Sequence, residues 1–203
     1  MWLFVVLSVV IGYLLGNLNG AVWVSHLMKD DVRTHGSGNA GLTNFIRSYG
    51  AKYALLVVAV DALKAVFACL IAGFLLKPYG MFLEGTAIGG LSVMLGHVFP
   101  VFLGFHGGKG ILSGLFVALM VDWRIAVLIL AVFAVAYFTT RYVSLGSVLA
   151  SAAFAIGFAV FHYNNLTVML CGLMMGLLAI FMHRQNIVRL FKGEERKTDL
   201  FKK

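Results

Sequence analysis

The chain has 203 residues, of which 61% are hydrophobic and 12% charged, and its mean hydropathy is +0.95; usage this apolar excludes an ordinary water-soluble domain and marks a polytopic membrane protein. The net charge of +8 does not signal nucleic acid, because no basic run is interleaved with aromatics outside the apolar stretches. The positive residues collect instead at span ends, where anionic headgroups favour them. Cys69 and Cys171 fall inside apolar runs with no His or Cys at zinc-ligand spacing, so they read as packing residues and support neither a disulfide framework nor a metal site.

Apolar stretches separated by polar or glycine-rich breaks predict seven spans, at about residues 2–27, 53–76, 86–103, 111–122, 125–140, 143–161 and 166–183. Residues 2–16 lack a positive segment before them and a small-residue cleavage site after them, so they read as a retained first span. The fourth stretch, ILSGLFVALMVD, rises only about 18 Å. It either starts below the surface or borrows the glycine loop before it. Alternation of period two is absent, so helices rather than a barrel must satisfy the backbone in lipid. The expected fold class is an all-α membrane protein, a seven-transmembrane-helix bundle forming one integral domain over residues 1–203, without internal repeats.

Sorting the connections by parity puts Lys29, Arg33, Arg47, Lys52, Lys109, Arg141 and every basic residue from Arg184 to Lys203 on one side, against Lys77 and Arg124 on the other. The positive-inside rule then places the amino terminus outside and the carboxy terminus in the cytoplasm. The same parity brings four polar or glycine-rich stretches to the cytoplasmic face: DDVRTHGSGNAGLTNFIRSYG, GFHGGKG, RYVSLGS and HRQNIVRLFKGEERK. Together they can form one site.

In GFHGGKG, glycines 107, 108 and 110 surround Lys109. Glycine allows close backbone approach, so successive N–H groups can converge on an anion whose charge the lysine balances; a helix starting just beyond adds its amino-terminal end. Phosphate suits this chemistry. A Walker A loop does not, since Leu103 stands where a glycine is required and Gly110 where Ser or Thr would bind magnesium. The alternative is a helix-packing turn with a snorkelling lysine. GSGNAGLTN, residues 36–44, repeats the theme. Gly36 and Gly38 flank Ser37, while Asn39, Thr43 and Asn44 offer donors and Arg47 a guanidinium fork. The alternative is a capped turn, with Ser37 or Thr43 as the cap. His183 and Asn186 of HRQN are three residues apart and share a helix face, where they either anchor in the headgroup layer or hold or deprotonate a substrate hydroxyl.

With these stretches in order, the chain resembles the bacterial acyl-phosphate:glycerol-3-phosphate acyltransferases, the PlsY family. The likeness rests on GSGNAGLTNFIR, GHVFPVFLGFHGGKG and HRQNIVRLFKGEE, with DALK at 61–64 and RYVSLGS at 141–147 falling where the family has similar stretches. The resemblance implies transfer of a fatty acyl group from acyl phosphate to the 1-hydroxyl of glycerol 3-phosphate, giving lysophosphatidic acid and phosphate. It implies no cofactor, and neither coenzyme A nor acyl carrier protein as the direct donor. The expected partners are these two substrates and membrane lipid, with the protein acting as a monomer in the bacterial inner membrane. By position it gives Ser37, Arg47, Lys109 and Ser144 contact with phosphate groups, glycines 107, 108 and 110 the shaping of the cradle, His183 and Asn186 the acceptor, and Glu195 a structural role. Departures from the family pattern are Leu42 for alanine, His106 for lysine, and ILSG for valine-alanine-threonine; the loss at 106 removes a positive charge beside the anion.

Acyl phosphate is a mixed anhydride, so direct attack by a hydroxyl needs no covalent enzyme intermediate, and the chain has neither a G-x-S-x-G elbow nor a cysteine with a base nearby in sequence. The proton goes to His183 or to a substrate phosphate, whose second pKa is near 6. Asp61 and Lys64, one turn apart within the second span, read first as an ion pair facing the bundle interior. His26 and Asp31 carry an H-x-x-x-x-D spacing used elsewhere for hydroxyl activation, but the histidine closes the first span and the pair reads as incidental. Helix packing through Gly89 and Gly90 and a kink near Pro100 are expected to open room for an acyl chain between spans. Competing readings are a transporter or flippase for an organic phosphate, and an acyltransferase with another acceptor. Single cysteines beside Lys109, Arg47 and His183, in a cysteine-free background, should all react with a membrane-impermeant reagent from the cytoplasmic side, and one beside Lys77 from the opposite side. A Lys109 neighbour that labels with Lys77 would break the convergence.

Overall fold

The computed structural model describes residues 1–197; Lys202 and Lys203, counted above in the charge asymmetry, lie outside the described residues. All regular elements among them are helical: α1 (Trp2–Gly16), α2 (Gly20–Leu27), α3 (Leu42–Tyr49), α4 (Ala54–Leu76), α5 (Phe82–Val98), α6 (Ile111–Val121), α7 (Trp123–Thr140), α8 (Val143–Phe161), α9 (Leu166–Met182) and α10 (Arg184–Phe191), with short 3-10 turns at Val32–Thr34, Lys77–Tyr79 and Val101–Leu103. Contacts divide the chain into two compact units, Met1–Val121 and Asp122–Lys203.

In the first unit α4 and α5 pack side by side, α1 leans on both, and α6 closes against them. The packing is that of a membrane bundle. Small residues meet inside, among them Ala65, Ala68, Ala72 and Ala87, whereas Leu55, Leu63, Phe67 and Phe74 point outward, as expected where association depends on close backbone approach rather than on burying bulk. Gly96 shows how close: a Cβ there would run into the carbonyl oxygen of Tyr13, and one on Gly16 into that of Val93. Gly89 likewise lies against the Ala68 carbonyl and Gly90 against Val117, so both are close-packing positions.

In the second unit α8 lies between α7 and α9, and α10 folds back on α8 and α9. Asp122 caps α7 by accepting from Arg124 N at 3.0 Å, and Asn165 caps α9 by accepting from Val168 N at 3.2 Å.

Four segments are long and apolar enough to cross a membrane, Ala54–Tyr79, Phe82–Leu103, Trp123–Thr140 and Val143–Phe161. Two bent pairs, α1 with α2 at 41° and α9 with α10 at 53°, raise the number to six if each is one span, and α6 is shorter. The described residues thus give four to six candidate spans where seven were expected. The expected span 2–27 breaks at Asn17–Asn19, where Asn19 leaves the helix and caps α2 by accepting from Val22 N at 3.1 Å. The expected kink near Pro100 is instead a helix end: α5 stops at Val98, Phe99 has φ −122° and ψ 61°, and Pro100 opens a 3-10 turn, as a proline that disfavours helix in the residue before it requires.

Gly96→Ala should destabilise the protein by about 1–3 kcal/mol through overpacking, read as a lower thermal midpoint in detergent, whereas Leu55→Ala on the exposed face should leave the midpoint nearly unchanged.

Candidate functional site

The segment after α2 is tied down by short polar side chains. Ser25 Oγ accepts from Val32 N at 3.1 Å, and Asn44 brackets the turn from α3, accepting from Ser37 N at 2.9 Å while donating to the carbonyls of Val32 and His35 at 2.9 and 3.0 Å. The amide of Asn44 is thereby committed to shaping the loop rather than to a ligand. Gly36 and Gly38 take positive φ, 59° and 70°, and a Cβ on Gly36 would strike Asn44 Oδ1. No side chain caps α3, whose N-cap is Gly41; the cap by Ser37 or Thr43 that the alternative reading required is not formed, and Asn44 holds the turn from within the helix. Ser37 is exposed, Asn39 and Thr43 are half-buried, and Arg47 is exposed in the last turn of α3. Beneath lies a small apolar core of Ala21, Val22, Val24, Val32, Ala40, Phe45 and Val57, against which Leu42 packs. The departure from alanine at 42 therefore adds packing.

Asp31 and Arg33 form a bidentate pair, with Nη2–Oδ2 at 2.7 Å and Nε–Oδ1 at 3.0 Å. The hydrogen bonds from Arg33 outweigh the opposing effect of burial and pull the Asp31 carboxyl down to about 2. His26 Nε2 stands 3.7 Å from the same carboxylate, too far for a hydrogen bond, so the H-x-x-x-x-D pair is spent on the loop. On the other flank, Asp30 takes His35 Nε2 at 2.9 Å, and this hydrogen bond holds its carboxyl below the ordinary range. Tyr49 meets His35 edge to face at 5.7 Å, and burial pushes its phenol up to about 12.

The glycine turn before α6 is joined to this segment. Arg33 Nη1 donates to the Leu103 carbonyl at 3.4 Å, and a Cβ on Gly108 would lie 2.7 Å from the Ala40 carbonyl oxygen. Ala40 is itself held by Asn19 Nδ2 at 3.0 Å. The two anion-friendly stretches are thus brought into contact within the first unit. Gly108 N donates to the His97 carbonyl at 3.1 Å, so its own amide is occupied and its task is close approach. Gly110 has φ 82° and leads into α6. Gly107 sits against the carbonyls of His97 and Val98, Lys109 is half-buried, and His106 is exposed.

In the second unit His183 stands at the junction of α9 and α10, and Asn186 follows one turn later; both are buried. His183 Nδ1 donates to the Ala179 carbonyl at 2.8 Å, which leaves the lone pair of the neutral ring on Nε2. Asn186 Nδ2 donates to Glu195 Oε1 at 2.8 Å and Arg189 Nε to Oε2 at 2.7 Å. Burial alone would raise the Glu195 carboxyl, but these hydrogen bonds hold it below the ordinary value, helped by Ser144, whose buried hydroxyl lies near the carboxylate without forming a well-aligned hydrogen bond. Glu195 thus orients Asn186 beside the first turn of α8.

One polar residue escaped the sequence reading. Asp61 and Lys64 do pair, Nζ–Oδ1 2.7 Å, yet Lys64 Nζ also meets His97 Nδ1 at 2.7 Å. The available signal was a histidine inside an apolar run next to the second motif.

A family model described as glycerol-3-phosphate acyltransferase matches residues 6–193. Relatives named glycerol-3-phosphate acyltransferase include one from Thermoanaerobacter pseudethanolicus, 41% identical over 196 residues covering 96% of each chain. Another, from Neisseria meningitidis, is 38% identical over 94% of this chain and 95% of its own. The crystal structure of PlsY (YgiH), an integral membrane glycerol 3-phosphate acyltransferase, in its glycerol 3-phosphate form matches with a TM-score of 0.85 at 34% identity, over 98% of this chain and 99% of that one. Its lysophosphatidic acid form matches with 0.83 at 35% identity, over 97% and 96%. By sequence over nearly its whole length and by fold, the chain belongs to the glycerol-3-phosphate acyltransferase family of the PlsY type.

Proposed function

We propose that the protein transfers a fatty acyl group from acyl phosphate to the 1-hydroxyl of glycerol 3-phosphate, forming lysophosphatidic acid and inorganic phosphate for phospholipid synthesis. It does so as a monomer at the cytoplasmic face of the bacterial inner membrane. The observation that carries this reading is the junction of two anion-friendly stretches at Ala40 and Gly108, in a chain whose structural neighbours hold glycerol 3-phosphate and lysophosphatidic acid.

Lys109 and Arg47 neutralise phosphate charge, Ser37 and Ser144 donate to phosphate oxygens, and glycines 107, 108 and 110 let the backbone come close. Gly36, Gly38, Asn39, Thr43 and Asn44 give the companion loop its shape and its remaining donors. His183 and Asn186 take the glycerol hydroxyl. With Nδ1 committed to Ala179, His183 offers Nε2 to that hydroxyl, and Asn186 is kept in place by Glu195. The hydroxyl oxygen attacks the acyl carbonyl carbon, the carbon–oxygen bond to phosphate breaks, and phosphate leaves with its electron pair. The hydroxyl proton passes to His183 Nε2 or to a phosphate oxygen. Positioning and stabilisation of negative charge supply the rate enhancement, and no acyl-enzyme is formed.

Purified protein given palmitoyl phosphate and radiolabelled glycerol 3-phosphate should make labelled lysophosphatidic acid in detergent, with palmitoyl-coenzyme A inactive as donor; label crossing sealed vesicles without any product would replace the enzyme by a transporter. Lys109→Ala should lower turnover by about 10²–10³-fold, the size of losing one charge-stabilising donor, while the protein still extracts as a folded monomer. Wild-type rates in that variant would remove Lys109 from the site.

A further inference from the structure

The Asp61–Lys64–His97 cluster lies wholly within the first unit, and its three residues are at most 4% exposed. Lys64 Nζ reaches Asp61 Oδ1, the Leu18 carbonyl and His97 Nδ1, each at 2.7 Å, with the Gly16 carbonyl farther off at 3.4 Å. An ammonium has three hydrogens to give and no lone pair. Its three short contacts therefore make His97 Nδ1 an acceptor, so the ring is neutral and its single proton sits on Nε2. An imidazolium would instead place a second positive charge and an N–H directly against the ammonium.

The Nε2 end is aimed at the glycine turn. A Cβ on Gly108 would collide with His97 Nε2, and Gly108 N is held by the carbonyl of the same histidine at 3.1 Å. Yet Nε2 has no hydrogen-bond partner among the described residues. An N–H on a residue only 4% exposed is poorly supplied with water, and the group expected at this turn carries several strong acceptor oxygens.

We propose that His97 is a further binding residue, whose Nε2–H donates to an oxygen of the phosphate held at the Gly107–Gly110 turn, with Lys64 and Asp61 fixing the tautomer that makes this possible. The proposal rests on the reading that the turn takes phosphate. The phosphate of glycerol 3-phosphate and that of the acyl donor share this chemistry, and separate measurements for the two substrates tell which one uses His97.

Two substitutions separate the ends of the ring. His97→Asn keeps an acceptor near the Nδ1 position for Lys64 but removes the Nε2–H, whereas His97→Gln can return an amide N–H near the Nε2 position. The Asn variant should raise KM for one of the two phosphates by about 10- to 100-fold, the weight of one hydrogen bond to a charged group, with kcat changed far less, and the Gln variant should recover most of that loss. The same order should appear in the thermal stabilisation produced by glycerol 3-phosphate or inorganic phosphate, which needs no turnover and so remains readable even if palmitoyl phosphate proves not to be the donor. Equal phosphate affinity in wild type and the Asn variant overturns the proposal, as does equal loss in both variants, which would reduce the ring to packing. In wild-type protein with 15N-labelled histidine, adding glycerol 3-phosphate or an acyl phosphate analogue should shift the Nε2–H resonance of His97. A resonance unmoved by either ligand overturns the proposal independently of how the variants fold.

Discussion

The buried pair of Asp61 and Lys64 is the contact on which the first unit depends. It does more than cancel two charges inside α4. The chain leaves the helix at Asn17–Asn19, between α1 and α2, and a break of this kind in an apolar stretch exposes backbone groups that must find partners. Lys64 takes the Leu18 carbonyl and Asp61 takes the Gly20 amide, at 2.7 and 3.2 Å. Removing either partner would strand a charge and reopen the break, a loss of about 3–5 kcal/mol by comparison with other buried pairs. From the repaired break the order propagates outward: Asn19 caps α2 and also holds the Ala40 carbonyl, and Ala40 stands against Gly108. Electrostatics deep in the first unit thus sets the geometry of loops at its end.

Much of this architecture is legible in the sequence, and the failures have physical causes. The long apolar runs that become α4, α7, α8 and α9 were placed within about two residues, because lipid leaves a saturated helix as the only solution for such a run. Breaks were harder. Asn17 and Asn19 interrupt the apolar run for only three residues, and the bend there depends on a cap and on an ion pair contributed by another helix. α3 falls in a stretch whose glycines signal loop, although Leu42, Phe45, Ile46 and Tyr49 have the i, i+3, i+4, i+7 spacing of an amphipathic helix; eight residues are too few for that spacing to stand out from the glycines around them. The Asp61–Lys64 pair was visible because one helical turn joins it. Its third member was not, since His97 reaches Lys64 only through the packing of α5 on α4.

The candidate site shows the same division. Residue types pointed to phosphate chemistry at Ser37, Arg47 and Lys109 and to a hydroxyl at His183 and Asn186, but types alone do not say which polar groups are already spent. Asn44, read as a donor to a ligand, gives its whole amide to the backbone of its own loop. Gly108 gives its N–H to His97. Asn186 has one amide hydrogen fixed on Glu195, and His183 has Nδ1 fixed on Ala179. Each unit therefore orients its candidate groups with partners from within itself, the preorganisation that a reacting site requires.

The repair of the first span by the fourth helix also bears on how the chain enters the bilayer. During synthesis α1 and α2 emerge before α4, so the groups that satisfy the break arrive after it. Asp61 and Lys64 neutralise each other within a single helical turn, which eases the passage of α4 into lipid before any neighbour has docked. Until then Leu18 and Gly20 must find water or headgroups for their backbone hydrogen bonds. The bend between α1 and α2 is thus satisfied by a helix delivered after it, since both of its side-chain partners stand on α4.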